Sequence, residues 1–135
     1  MSDNRRVYRT IKMAIQQLFP KEPQGNFARN LNTLAGMVAG IVQGKSCQLP
    51  AISRHAPDTA KAESRIKRYS RWIQNERIEF ETYYLPFAQP LLASLAEIRP
   101  LVFIMDGSEV GHECITLMVS LIWQKRAIPG SRRTR

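Results

Sequence analysis

The segment Leu101-Val-Phe-Ile-Met-Asp106-Gly-Ser108-Glu109 carries a short apolar, β-prone run into one acidic residue followed by glycine. That order suits a carboxylate presented at the carboxyl end of a buried strand, so a strand over 101–105 with Asp106 at its exit is expected. A carboxylate held there can ligate Mg²⁺, a hard cation that prefers oxygen. One aspartate is not a complete centre, because two-metal phosphoryl transfer needs further ligands to hold both ions and to offset charge on the attacking and leaving oxygens. Glu109, His112 and Glu113 could be offered, but they fall in the expected inter-strand loop, where turn, surface or packing roles are the commoner use. His112-Glu113-Cys114-Ile115-Thr116 departs from the zinc-protease pattern, since Thr116 stands where the second histidine is required. The chain shows no nucleophile elbow, phosphate-binding glycine loop or cysteine–histidine arrangement.

The residues before this segment have a different character. Residues 1–75 carry 13 Lys/Arg against 4 Asp/Glu, whereas residues 76–135 carry 7 against 7, so the formal charge of +9 comes from the front. Such a balance favours a polyanionic partner for the front and leaves Asp106 to be explained separately. Apolar content of 44% fits an ordinary folded chain. Cys47 and Cys114 stand alone, which suits a reduced compartment and gives neither a metal-site spacing nor a disulfide framework. The opening residues lack the apolar core of a secretory signal, and the run Cys114–Trp123 is too short to span a bilayer. A cytoplasmic location without membrane association is the expectation.

The elements that must position these groups begin with a helix over about Arg5 to Phe19, where Val7, Ile11, Ile15 and Leu18 recur at helical spacing before Pro20. Asn26 can cap a second helix with an apolar stripe of Phe27, Leu31, Leu34, Val38, Ile41 and Val42. Gly36 and Gly40 weaken that helix but permit close crossing by another. A short third helix is expected over Ser46–Arg54. A break at residues 55–59 follows, in which His55 reads as a surface or turn residue rather than a general base.

From Asp58 or Thr59 a fourth helix is expected, with Ala62, Ile66, Tyr69 and Ile73 inward and Lys61, Arg65, Arg68 and Trp72 along another side. This helix, the short break and the helix before it make the best helix-turn-helix candidate. The second of the pair offers base and phosphate contacts through long cationic side chains: Arg54, Lys61, Arg65, Lys67, Arg68 and Arg71 are the candidate DNA-binding residues. The bland alternative is a solvated basic helix. Trp72 reads as core packing, since a large aromatic beside Ile66, Tyr69 and Ile73 buries substantial area. Further helix is expected over Glu76–Tyr84 and Pro90–Glu97, interrupted by Pro86 and Pro90. Arg99–Pro100 is the expected domain boundary. Beyond it lie strands at 101–105 and Ile115–Trp123, with a third starting at Ala127-Ile128.

With these pieces in order, the chain resembles a DDE-class cut-and-paste insertion-sequence transposase with an RNase H-like core. The resemblance is carried by Asn30 to Lys45, containing Leu34-Ala-Gly-Met-Val-Ala-Gly-Ile-Val-Gln-Gly-Lys45; by the basic block Ser64 to Asn75; by Tyr83-Tyr-Leu-Pro86; by Leu101 to Ser108; and by Thr116 to Pro129, ending in Lys125-Arg-Ala-Ile-Pro129. It implies an α+β protein: an all-helical DNA-binding region over residues 1–99 with a helix-turn-helix-like element, followed over residues 100–135 by the first two or three strands of an incomplete RNase H-like domain. It also implies that Asp106 is the first carboxylate of a metal-binding triad that uses Mg²⁺ to hydrolyse a phosphodiester and direct the freed 3′ hydroxyl onto target DNA.

The chain departs from that pattern after Pro129, where Gly-Ser-Arg-Arg-Thr-Arg replaces the sheet and later carboxylates of the family. It therefore looks like an amino-terminal fragment, from a truncated or frameshifted gene, in which strand transfer and stable Mg²⁺ binding are not expected. Three functions stand at this point. The favoured one is DNA binding, with transposon ends as the partner. The second is a non-catalytic regulator that pairs with a full-length transposase or with itself. The third is a small metal-dependent nuclease using Asp106 with Glu109, Glu113 or His112. An unfinished sheet needs a covering layer or partner strands, and otherwise leaves this end prone to aggregate.

Overall fold

A computed structural model describes residues 3–109 and 115–134. Among these described residues, six helices precede a three-stranded antiparallel sheet: α1 Asp3–Gln17, α2 Gly25–Gly44, α3 Leu49–His55, α4 Ala62–Ile73, α5 Phe80–Tyr83, α6 Leu85–Ile98, β1 Val102–Glu109, β2 Ile115–Trp123 and β3 Arg126–Thr134. The expected α+β class is the class found, as helices followed by a small sheet. By contacts the chain divides into a unit ending at Phe87 and a unit starting at Ala88, within α6. The expected boundary at Arg99–Pro100 lies where the chain passes from helix to strand. No helix among the described residues is long and apolar enough to cross a membrane.

In the first unit α2 is the element on which the others pack. One cluster joins Ile15 of α1 to Leu31 and Ala35 of α2, with Tyr8, Ile11, Phe19, Phe27, Tyr83 and Phe87 around it. A second joins Met37 of α2 to Ile52 and Ala56 at α3 and Tyr69 of α4, flanked by Leu34, Ile41, Leu49 and Trp72. The glycines permit this. A Cβ at Gly40 would lie 2.6 Å from the backbone oxygen of Ile52, and one at Gly36 would lie 3.2 Å from the Tyr69 hydroxyl, so α3 and α4 approach where α2 has no side chain.

Several local expectations are corrected. Asn26 does not cap α2, which starts at Gly25, two residues earlier than such a cap implies, after an extended Gln24; Asn26 Oδ1 accepts a hydrogen bond from Arg29 instead. The helix expected over Glu76–Tyr84 contracts to α5, because Asn75 organises a turn in which its Oδ1 accepts the Arg77 N–H at 3.1 Å. Pro86 and Pro90 do not interrupt α6: Pro86 lies in its first turn, where a missing N–H costs nothing, and Pro90 removes one bond from a helix that continues to Ile98.

The sheet order is β1-β2-β3. β2 occupies the expected residues, and the hairpin to β3 turns through Gln124 and Lys125, both at positive φ, 47° and 65°. Such a pair matches the twist of the flanking strands. The β2–β3 register shifts between Val119 and Ser120, opposite the stretch containing Pro129, a residue with no N–H to give the ladder. Leu121 is buried, while Arg99 lies over the Trp123 ring at 4.2 Å. β1 is longer than expected and exposed along its whole length, not buried, because it is an edge strand covered on neither face.

Candidate nucleic-acid interface

The basic region over residues 54–71 lies on α3, α4 and the connection between them, and it contains two kinds of cation. Arg65 and Arg68 are engaged within the protein. Arg65 Nη1 donates to the backbone oxygens of Asp58 at 2.6 Å and Ala60 at 2.7 Å, and its Nε donates to Ser53 Oγ at 3.4 Å. Ser53, fully buried, donates in turn to the Ala62 carbonyl at 3.0 Å. Arg68 forms an ion pair with the Asp58 carboxylate and sits over the Tyr69 ring at 5.5 Å. The α3–α4 connection is thus braced by two side chains of the helix that follows it.

Asp58 completes the brace from its own side, its Oδ1 accepting the Ala60 N–H at 2.9 Å. That backbone hydrogen bond, with the Arg68 guanidinium, holds the Asp58 carboxyl below the usual carboxylate range. Burial raises the Tyr69 hydroxyl and, less deeply in the fold, that of Tyr8. Tyr8, Asn32, Thr33, Gly36, Asp58 and Arg68 belong to the lining of a cleft of about 390 Å³ beside this brace.

The second kind of cation is free. Arg54, Lys61, Lys67 and Arg71 are exposed and form no ion pair among the described residues. Lys67 and Arg71 are four residues apart on α4 and so lie on one side of it. The face turned to the protein differs from expectation. Tyr69 is buried and Trp72 half-buried, whereas Ile73, expected inward, is 59% exposed. The helix is rotated toward Arg65, Tyr69 and Trp72, whose polar ends find partners inside: Trp72 Nε1 donates to the Asn30 carbonyl at 3.0 Å, and its ring meets Tyr83 edge-on at 5.8 Å. The packing role expected of Trp72 is the one it has. His55 belongs to the end of α3 rather than to the break, half-buried with its ring beside Gly44.

Asp106 does not sit at a strand end. β1 continues through Gly107 to Glu109, so Asp106 is exposed in mid-strand opposite Met118. Glu109 is an odd number of residues away and projects from the other face of β1, so the two carboxylates do not converge on one ion. His112 and Glu113 lie outside the described residues. Among the described residues no three His, Cys, Asp or Glu side chains are grouped to hold a metal. Of the described candidates, Asp106 and Glu109 alone do not supply the several oxygen ligands on one side that a magnesium centre needs.

No family model, curated protein or solved structure matches the chain.

Sequence reading did not find the division of labour among the six cations. Its signal was present in Asp58 and Ser53, a turn acid and a small polar residue within reach of the next helix. Arg29 and Arg77 were also overlooked; they lie outside the basic block but line a cleft with Asn26, Asn30 and Asn75.

Proposed function

We propose that this chain binds double-stranded DNA through α3 and α4, as the cytoplasmic recognition part of a DDE-type transposase whose partners are transposon ends. The observation that carries this reading is the pairing of a rigid connection with free cations. Arg65, Arg68 and Asp58 fix the α3–α4 geometry internally, while Arg54, Lys61, Lys67 and Arg71 stay available to solvent. Phosphate contacts from such side chains displace condensed counterions, set register on the duplex and leave base edges to neighbouring polar groups. The asymmetry of charge toward the front of the chain supports the same partner. A single exposed mid-strand carboxylate such as Asp106 does not by itself hold the two ions that strand cleavage requires.

The test is a salt-dependent titration of the purified chain against duplexes carrying insertion-element ends and scrambled controls, with Mg²⁺ present and the products inspected for cleavage. End-selective binding that weakens linearly in the logarithm of salt is expected, without cleavage. Absence of duplex binding at low salt rejects the reading, and cleavage abolished by Asp106→Ala would replace it with a nuclease.

A further inference from the structure

Apart from the α3–α4 pair, the first turns of α2 and the turn after α4 form a second cationic surface. Asn26, Arg29, Asn30, Asn75 and Arg77 line a cleft of about 280 Å³. No acidic residue lines it, and neither guanidinium has an ion-pair partner among the described residues. The internal hydrogen bonds at its edge consume acceptors. Arg29 Nη2 donates to Asn26 Oδ1, and the Arg77 backbone N–H donates to Asn75 Oδ1. The amide nitrogens of Asn26 and Asn75 are left over as donors, beside the Arg77 guanidinium and the remaining N–H groups of Arg29.

The walls are held in place from behind. Trp72 at the end of α4 donates to the Asn30 carbonyl, and Asn30 Nδ2 donates to Tyr83 Oη at 3.0 Å. Two guanidinium charges without a counter-charge, with surplus amide donors, select an anion that offers several oxygen acceptors. Arg29 also lines the larger cleft beside Arg68, but that cleft is less suited to an anion because its lining includes the Asp58 carboxylate, which pairs with Arg68.

We infer that this cleft is a phosphate site that takes a backbone phosphate of bound nucleic acid. The inference rests on the DNA-binding reading, and α4 is the reason for choosing this source. Lys67 and Arg71 lie on one side of α4, and the chain leaves that helix after Ile73 through a turn in which the Asn75 N–H donates to the Trp72 carbonyl at 3.3 Å, so a strand tracked along α4 meets Asn75 and Arg77 at its end. The cleft extends the contact surface beyond the helix pair.

The experiment uses the full chain labelled with ¹⁵N and three probes added separately: inorganic phosphate, a mononucleotide and a short DNA duplex. Duplex is expected to shift the side-chain amide signals of Asn26 and Asn75 and the Nε signals of Arg29 and Arg77 saturably. The double variant Arg29→Gln/Arg77→Gln should lower the salt slope of duplex binding by about 0.9, for the one phosphate the cleft no longer holds. Arg29→Lys/Arg77→Lys should restore most of that slope. Duplex binding with these four signals unmoved overturns the cleft and leaves the DNA reading standing, and an unchanged slope in a folded Gln variant does the same. Shifts with phosphate or mononucleotide in a chain that binds no duplex uphold the cleft for a small phosphorylated ligand and remove the DNA reading. No shift with any probe overturns the cleft outright.

Discussion

Arg65 grips Asp58 by its backbone: Nη1 of the arginine donates to the Asp58 carbonyl oxygen at 2.6 Å, so a residue of α4 closes the connection that leads into it. The same nitrogen reaches the Ala60 carbonyl, and Nε reaches Ser53 Oγ. Losing this side chain leaves two carbonyls and a buried hydroxyl short of a donor. Arg65→Gln should therefore lower unfolding free energy by about 1–3 kcal/mol, the cost of breaking part-buried hydrogen bonds to a charged group. Urea unfolding monitored by circular dichroism checks it. Wild-type stability would return Arg65 to the DNA-facing role its place in the basic block first suggests.

Asp58 gives the fold a response to acid. Its folded pKa is depressed, first by the Ala60 N–H and then by the Arg68 side chain. A group with a depressed folded pKa contributes stability that is present above its unfolded value, about 3.9, and lost as pH falls through the lower folded value. Asp58→Asn should be less stable than wild type at neutral pH, with the gap closing as pH drops below 4. Unfolding midpoints of both proteins across a pH series give the comparison, and a gap that persists at the acid end removes Asp58 as its source.

The α2–α3 crossing predicts an ordering of two glycine substitutions. A Cβ at Gly40 meets the Ile52 backbone oxygen at 2.6 Å and Ile52 Cγ2 at 2.7 Å, so α3 must move; overpacking of this kind costs about 1–3 kcal/mol. At Gly36 the new methyl meets only the tip of the Tyr69 ring at 3.2 Å. Gly40→Ala should be clearly destabilised in a thermal melt and Gly36→Ala less so. The reverse order would contradict the crossing.

Lys67 and Arg71 are exposed and unpaired on one side of α4, so their loss should not disturb the fold. Surface changes of this sort shift stability by no more than about 0.5 kcal/mol. In a salt series against duplex DNA, Lys67→Gln/Arg71→Gln should reduce the slope by about 0.9 for each phosphate contact removed and weaken affinity across all sequences. Unaltered slope with intact fold would exclude this side of α4 as the contact surface.

What the sequence determined by itself was periodicity and close approach. The three-to-four-residue recurrence of Val7, Ile11 and Ile15, the mixed apolar run of Ile115–Trp123, and the spacing of Gly36 and Gly40 depend on neighbours a few positions away, and the helices, the second strand and the tight crossing follow from them. Tertiary structure decided where each cation spends its hydrogen bonds. Six basic residues look alike along residues 54–71, and only the folded connection brings the Asp58 carboxylate and the carbonyls of residues 58 and 60 to Arg65 and Arg68 while leaving Lys67 and Arg71 in water. It also decided the fate of Asp106. A glycine after an aspartate often ends a strand, but Gly107 pairs with Leu117 and the cross-strand ladder runs on to Glu109. Hydrogen bonding to a partner strand, rather than local propensity, sets that length and places the carboxylate in the middle of an exposed edge.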